Sequence, residues 1–233
     1  MSPGKDVEVL DFLGIPVWER RGTAGVSQTM DHSRDGLEPP ADTGSAPPVP
    51  TLGWEDLARR VSGCEMCGLC RTRHQTVFGA GSREAGWMFV GEAPGADEDR
   101  EGQPFVGRAG QLLTSMITAM GLERQQVYIA NVLKCRPPKN RDPEPQEIAT
   151  CRPFLERQVA LLAPRILIAL GRIAAQSLLE TEQPLSRLRG TVHSFGGKVP
   201  LVVTYHPAYL LRNPVAKREV WRDLCLAMEQ AGS

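Results

Sequence analysis

The sequence predicts an α/β fold: a three-layer α/β/α sandwich around a central four-stranded parallel sheet, preceded by a disordered N-terminal tail. Three observations carry this reading: short, nearly continuous apolar runs, amphipathic stretches between them, and a polar or glycine-bearing cluster closing each run. WMFVGE (87–92), VYIANV (127–132), ILIALG (166–171) and VPLVVTYHP (199–207) are the runs. Their lack of alternation marks strands covered on both faces. After Gly107, Leu112, Leu113, Met116, Ile117 and Met120 form one helical stripe that stops at Gly121. Residues 145–162 repeat the pattern with Ile148, Leu155, Val159 and Leu162, and Pro153 is expected to kink that helix. A third helix follows Gly171 and a fourth spans Ala216 to Gln230. Strands alternating with helices imply crossover connections and a parallel sheet. The closing clusters GEAPG, NVLKCR, LGR and YHP then fall outside the carboxyl ends of the strands, where open α/β sheets bind ligands.

The chain has 233 residues, 41% of them hydrophobic, which suits one domain with an appendage. No apolar stretch approaches the roughly 20 residues of a membrane-spanning helix. The opening MSPGKDVEVL does not read as a secretory signal, so the expected location is the cytoplasm, at the nucleoid. Basic and acidic residues balance at 27 each, but the first 50 residues hold four basic and eight acidic side chains. The remainder, 23 basic against 19 acidic, is mildly basic and compatible with a nucleic-acid partner.

Residues 22–50 contain 18 Gly, Pro, Ser, Thr or Asp among 29 positions and no aromatic residue. Such a segment cannot bury enough apolar surface to offset its ordering entropy, and reads as a flexible linker reaching roughly 30 Å. Ahead of it, residues 7–21 concentrate Leu10, Phe12, Leu13, Ile15, Val17 and Trp18. Two readings of that peptide stand: it packs back on the body, or it docks on a partner. The expected organisation is therefore a docking peptide at 1–21, a linker at 22–50 and a catalytic domain at 51–233.

Six cysteines without an export signal point to metal rather than disulfides. CEMCGLC supplies Cys64, Cys67 and Cys70 in a tight turn, Cys135 follows a strand and Cys151 lies on a helix. Four such thiolates suit a zinc ion or an iron–sulfur cluster; the single short-spaced couple tilts the choice towards the cluster, with Cys70 a rival third ligand. Cys225, among Leu224, Leu226 and Met228, reads as a core thiol.

GEAPGADEDREGQPFVGRAGQLL, NVLKCRPPKNRDP and HPAYLLR, in this order, resemble the family 4, iron–sulfur uracil-DNA glycosylases over about residues 57–228. The resemblance implies a 4Fe–4S cluster on Cys64, Cys67, Cys135 and Cys151. It also implies a DNA-repair hydrolase, acting as a monomer, that flips uracil out of single- or double-stranded DNA and cleaves its N-glycosidic bond. Phe105 resembles the ring on which the flipped base stacks. Asn131 would donate to uracil O4 and accept from N3–H, a reading that VLKC beside it favours over a helix or turn cap. His206, the expected catalytic donor, would stabilise the negative charge that develops at uracil O2. Glu92 is the carboxylate expected to position water or stabilise the sugar cation. The best-known branch of the superfamily carries an aspartate where this chain has Ala93. Glu98 resembles an acidic position near uracil C5, and the Gly91–Gly95 backbone would complete the pocket. Leu210 and Leu211 are candidates for a DNA wedge, while Arg212 and the Lys134–Arg141 loop, Arg136 included, would meet phosphates.

LDFLGIPVWERR resembles, more loosely, the N-terminal peptide by which the psi subunit of the bacterial replicative clamp loader joins its complex, which implies a replisome partner for residues 7–21. Two rivals remain: a glycosylase for another deaminated base such as hypoxanthine, and a non-catalytic, metal-stabilised DNA-binding module. A nucleotide hydrolase ranks last, because the glycine loop lacks a Walker lysine.

Overall fold

The computed structural model describes residues 48–232. The expected tail, the docking peptide and most of the linker lie outside the described residues. Pro48–Pro50, placed in the linker by composition, belong to the body instead: Val49–Thr51 form a 3-10 turn whose Val49 packs on a buried cluster.

The sheet has six strands: β1 (Ala80–Gly81), β2 (Trp87–Gly91), β3 (Tyr128–Asn131), β4 (Ile166–Leu170), β5 (Val192–Phe195) and β6 (Val199–Thr204). Their order is β1-β3-β2-β4-β6-β5. The four central strands β3, β2, β4 and β6 are mutually parallel, as the apolar runs require. Two antiparallel edges are added, β1 on β3 and β5 on β6, so the sheet is mixed rather than purely parallel. Both edge strands are short and β5 is half exposed, which is why neither shows as an apolar run.

Helices cover both faces. On one, α4 (Pro145–Leu162) and α5 (Arg172–Leu179) pack Leu155, Val159, Ala174 and Leu178 against Met88, Val90 and Ala130 of the sheet. On the other, α3 (Arg108–Ala119) and α8 (Lys217–Gly232) pack Leu113, Ile117, Val220 and Leu224 against Phe89, Ile129 and Ile168. Consecutive strand residues thus meet opposite helical layers, and burial on both sides explains the unbroken hydrophobicity. The α4 helix continues across Pro153 as one element.

The remaining helices, α1 (Trp54–Ser62), α2 (Ala96–Glu101), α6 (Leu185–Leu188) and α7 (Pro207–Arg212), are short. α1 contributes Leu57 and Val61 to a third cluster with Leu133, Phe154, Cys135 and Cys151. From β2 the chain proceeds to β3 on one side, whereas from β4 it proceeds to β6 on the other. The winding direction therefore reverses between β2 and β4, at the kind of switch point where a crevice opens beyond the strand ends.

Candidate active site and cysteine cavity

A cavity of about 490 Å³ lies beyond the carboxyl ends of β2, β3 and β6, and Glu92, Phe105, Asn131 and His206 all line it. Imidazole and carboxamide share one space. Ala93, Gly95, Glu98 and Arg212 also reach it, as do Asn140 and Arg141 of the loop expected to meet phosphates, and Tyr209, which sequence reasoning missed although it lies inside HPAYLLR.

Asn131 ends β3 and is 2% exposed. Its Oδ1 is, among the described residues, the one buried side-chain polar atom without a hydrogen-bond partner. A buried orphan acceptor is costly in a folded protein, and a site awaiting a donor is one reason to keep it. Gly91, the last residue of β2, makes room for it: a Cβ there would stand 2.6 Å from Phe105 Cζ and nearer still to Asn131 Oδ1.

Phe105 occupies the left-handed region at φ 55°, which is uncommon for a non-glycine residue and must be enforced by its surroundings. Arg124 Nη2 donates to the carbonyls of Pro104 (2.7 Å) and Phe105 (3.1 Å). Gly110, in the first turn of α3, lets the helix press against the Phe105 carbonyl where any Cβ would collide. The ring itself lies 5.5 Å from the His206 ring, centroid to centroid, at 31°.

His206 stands between β6 and α7. Its Nδ1 accepts the Ala208 N–H at 3.1 Å, which requires the neutral imidazole to carry its proton on Nε2. Burial, aided by the Arg212 guanidinium, pushes its pKa down to about 4. At neutral pH the ring is therefore a neutral donor. Glu92, one residue past β2, moves the other way: burial first, and then the Asp142 carboxylate, push its pKa up to about 7, against the opposing charge of Arg172. Arg172 Nη2 and Asp142 Oδ2 are themselves paired at 2.7 Å.

Glu98 lies at the cavity, but both its oxygens are occupied. Oε2 accepts from Gly95 N–H (3.1 Å), and Oε1 from Val106 (3.1 Å) and Gly107 (3.3 Å). The carboxylate clamps the GEAPG loop to the loop carrying Phe105. Two expectations for DNA contact are corrected. Leu210 is 1% exposed and packs in the α3/α8 core, so it is no wedge, whereas Leu211 is 40% exposed. Lys134 is likewise buried and unavailable to phosphates. Arg136 bonds Asn140 Oδ1 through Nε at 2.7 Å, and Arg212 is exposed at the cavity.

Cys64, Cys67, Cys135 and Cys151 line a second, small cavity with Val61, Leu133 and Phe154; Cys70 and Cys225 do not reach it. Among the described residues no three His, Cys, Asp or Glu side chains are grouped to hold a metal ion, so the four thiols border a common space rather than meet at a point. Donors aim at the sulfurs: Arg73 Nη1 lies 3.1 Å from Cys135 Sγ, and the Lys134 N–H 3.3 Å from Cys151 Sγ. Burial raises both thiols, Cys151 to about 12. Ala93 packs on this side as well as lining the larger cavity, so the two sites share a wall.

A family model described as the uracil DNA glycosylase superfamily matches residues 78–225. The chain belongs to the uracil-DNA glycosylase superfamily. It is 45% identical over 176 residues to the type-4 uracil-DNA glycosylase of Archaeoglobus fulgidus, covering 72% of this chain and 88% of that one. It is 42% identical over 160 residues to the type-4 enzyme of Thermotoga maritima, covering 68% and 83%. A type-5 uracil-DNA glycosylase of Thermus thermophilus is 35% identical over 142 residues, 54% of this chain and 63% of that one. The higher identity and longer coverage put the chain in the type-4 branch of the superfamily. Among the described residues no helix is long and apolar enough to cross a membrane.

Proposed function

We propose that this chain is a DNA-repair uracil-DNA glycosylase, in which the cavity beyond β2, β3 and β6 receives a uracil extruded from DNA. The observation that carries this is the unpartnered, buried Oδ1 of Asn131 facing a cavity that also contains His206. In that pocket Asn131 Oδ1 accepts uracil N3–H while its Nδ2 donates to O4. Cytosine presents the opposite pattern and would leave buried polar groups unpaired, at about 1–3 kcal/mol each. Phe105 supplies the stacking face.

As the C1′–N1 bond breaks, its electron pair passes to the base and collects at O2, where the His206 Nε2–H donates. A neutral imidazole suits this task, because it donates without first needing to acquire a proton. The sugar becomes oxocarbenium-like. Water adds its oxygen to C1′ and gives up a proton, for which the Glu92 carboxylate is the acceptor. Gly91, Ala93 and Glu98 shape the pocket wall, with Glu98 acting through the loops it clamps. Leu211 enters the gap left by the extruded nucleotide, and Arg136 and Arg212 meet phosphates.

The four cysteines fit a 4Fe–4S cluster: they border one apolar cavity, and backbone and guanidinium donors point at the sulfurs. When bound, the cluster supplies a cross-link between the CxxC turn, the loop after β3 and α4, bracing the pocket. Residues 7–21 are proposed to tether the protein to a clamp-loader or replisome component in the cytoplasm. Deleting them should leave excision intact and abolish clamp-loader pull-down; no binding by the isolated peptide would refute that part.

The activity is tested with a uracil-containing oligonucleotide treated with alkali after incubation. Strand scission at the uracil position by the wild type, strongly reduced in His206→Ala, is the expected result. No scission would refute it, and scission only at the hypoxanthine position of hypoxanthine-containing controls would shift the substrate to another deaminated base.

A further inference from the structure

Lys134 is 1% exposed, unusual for a side chain bearing an ammonium. Its Nζ donates to the backbone carbonyl of Asn131 at 2.9 Å and to Gln158 Oε1 at 2.6 Å, and neither acceptor is charged. Gln158 is itself fully buried on α4, and its Nε2 donates to the Phe78 carbonyl (2.9 Å) and to Tyr128 Oη (3.1 Å) at the start of β3. The backbone of the same lysine serves the cysteine cavity, since its N–H donates to Cys151 Sγ, while its carbonyl accepts the Val77 N–H at 2.8 Å.

We infer that Lys134 is a positioning residue that ties Asn131 to the cysteine site, so that the end of β3 is braced in register with α4. A methionine of similar length would fill this space without burying a charge, so packing alone does not call for an ammonium here. What an apolar side chain cannot do is hold the Asn131 carbonyl. That carbonyl belongs to the residue whose side chain faces the base, and its bond to the ammonium restrains the peptide from which the carboxamide projects. The cysteine cavity and the base pocket thus meet in one residue: the backbone of Lys134 bonds a cluster-site sulfur, and its side chain bonds the recognition asparagine. The inference rests on the proposed uracil pocket.

The test uses the cluster-loaded, full-length protein and free uracil as the probe, read as the inhibition constant of uracil against excision. Visible absorption per chain and affinity for abasic DNA are measured in parallel. In Lys134→Met, loss of the donors should weaken uracil inhibition about tenfold, while absorption and abasic-DNA affinity stay at wild-type values. Gln158→Met, which removes the acceptor that fixes the ammonium against the Asn131 carbonyl, should act in the same direction by about threefold, and decides the matter if Lys134→Met does not fold. An unchanged inhibition constant in a folded variant overturns the inference. So does a weakening that tracks lost absorption one for one, because the pocket would then have loosened only through loss of the cluster. Absence of uracil excision by the wild type overturns the function underneath, and is distinguishable because it precedes any mutation.

Discussion

Replacing Gly91 by alanine inserts one methyl group between Phe105 and Asn131, behind the proposed base pocket. The new Cβ would stand 2.6 Å from Phe105 Cζ and 2.8 Å from Cε2, and would also crowd Asn131 Oδ1. Carbon atoms in good contact are about 3.5–4.0 Å apart, so the ring has to retreat by about 1 Å. Phe105 cannot yield freely. Arg124 holds its carbonyl and α3 presses on its backbone at Gly110, so the displacement falls on the ring and the carboxamide. A misplacement of about 1 Å at a reacting centre costs about 10² in rate. Overpacking of this kind costs about 1–3 kcal/mol of stability, so the variant should still fold. Single-turnover release of uracil from an oligonucleotide, with thermal melting as the control, measures both. A folded Gly91→Ala protein that excises uracil within about threefold of the wild-type rate would refute the account of how Asn131 and Phe105 are placed.

His206→Ala should lose about 10²–10³ in single-turnover rate with little change in DNA affinity. In the proposed mechanism Glu92 must be ionised to accept a proton, so kcat/KM should rise with pH to a plateau above about 7. Glu92→Gln should flatten that rise, and Arg172→Ala should move its midpoint upward by removing the opposing charge; an unshifted midpoint in Arg172→Ala would contradict the assignment. The same ionisations act on stability with opposite signs. Glu92 has its pKa raised by folding, so it is harmless below about pH 4.5 and increasingly destabilising up to about 7. After discounting for solvent screening, Glu92→Gln should gain about 1–2 kcal/mol at pH 8 and nothing at pH 4. His206 has its pKa lowered, so it destabilises as pH falls from about 6.5 to about 4; acid melting of wild type and His206→Gln should diverge in that window. Leu210→Ala should cost about 2–5 kcal/mol in chemical denaturation. Leu211→Ala should barely change stability and should weaken excision from duplex more than from single-stranded DNA. Cys135→Ser should lose visible absorption and melt at lower temperature, whereas Cys70→Ser should do neither.

Much of the fold was legible because burial on both faces writes itself as unbroken apolar runs, and all four such runs are the parallel strands. The edge strands were not legible. β1 has two residues and β5 alternates exposed and half-buried positions between Gly190 and Gly196, so neither leaves a hydrophobic signature. Asn131 and His206 could be found because they lie in the quoted motifs, which close apolar runs at the strand ends that topology turns towards the crevice. Leu210 and Leu211 could not be told apart, since a six-residue helix is too short for periodicity to say which leucine faces the core. Lys134 was misread for a related reason: a lysine among other cations looks solvated, and only long-range partners such as Gln158, 24 residues away, reveal that it is buried. For Glu98 the sequence places an acid beside the pocket but does not reveal that its oxygens accept from the amides of Gly95, Val106 and Gly107, two of them on the loop that carries Phe105.

The central claim is that an asparagine at the end of β3 reads an extruded uracil which an imidazole then helps to release. Chromatographic quantification of free base from matched oligonucleotides containing uracil, cytosine or thymine tests it most directly. The wild type should liberate uracil alone, and Asn131→Ala should do so about 10²-fold more slowly with its cluster absorption intact. No free uracil from the wild type, or release by Asn131→Ala at the wild-type rate, would contradict it.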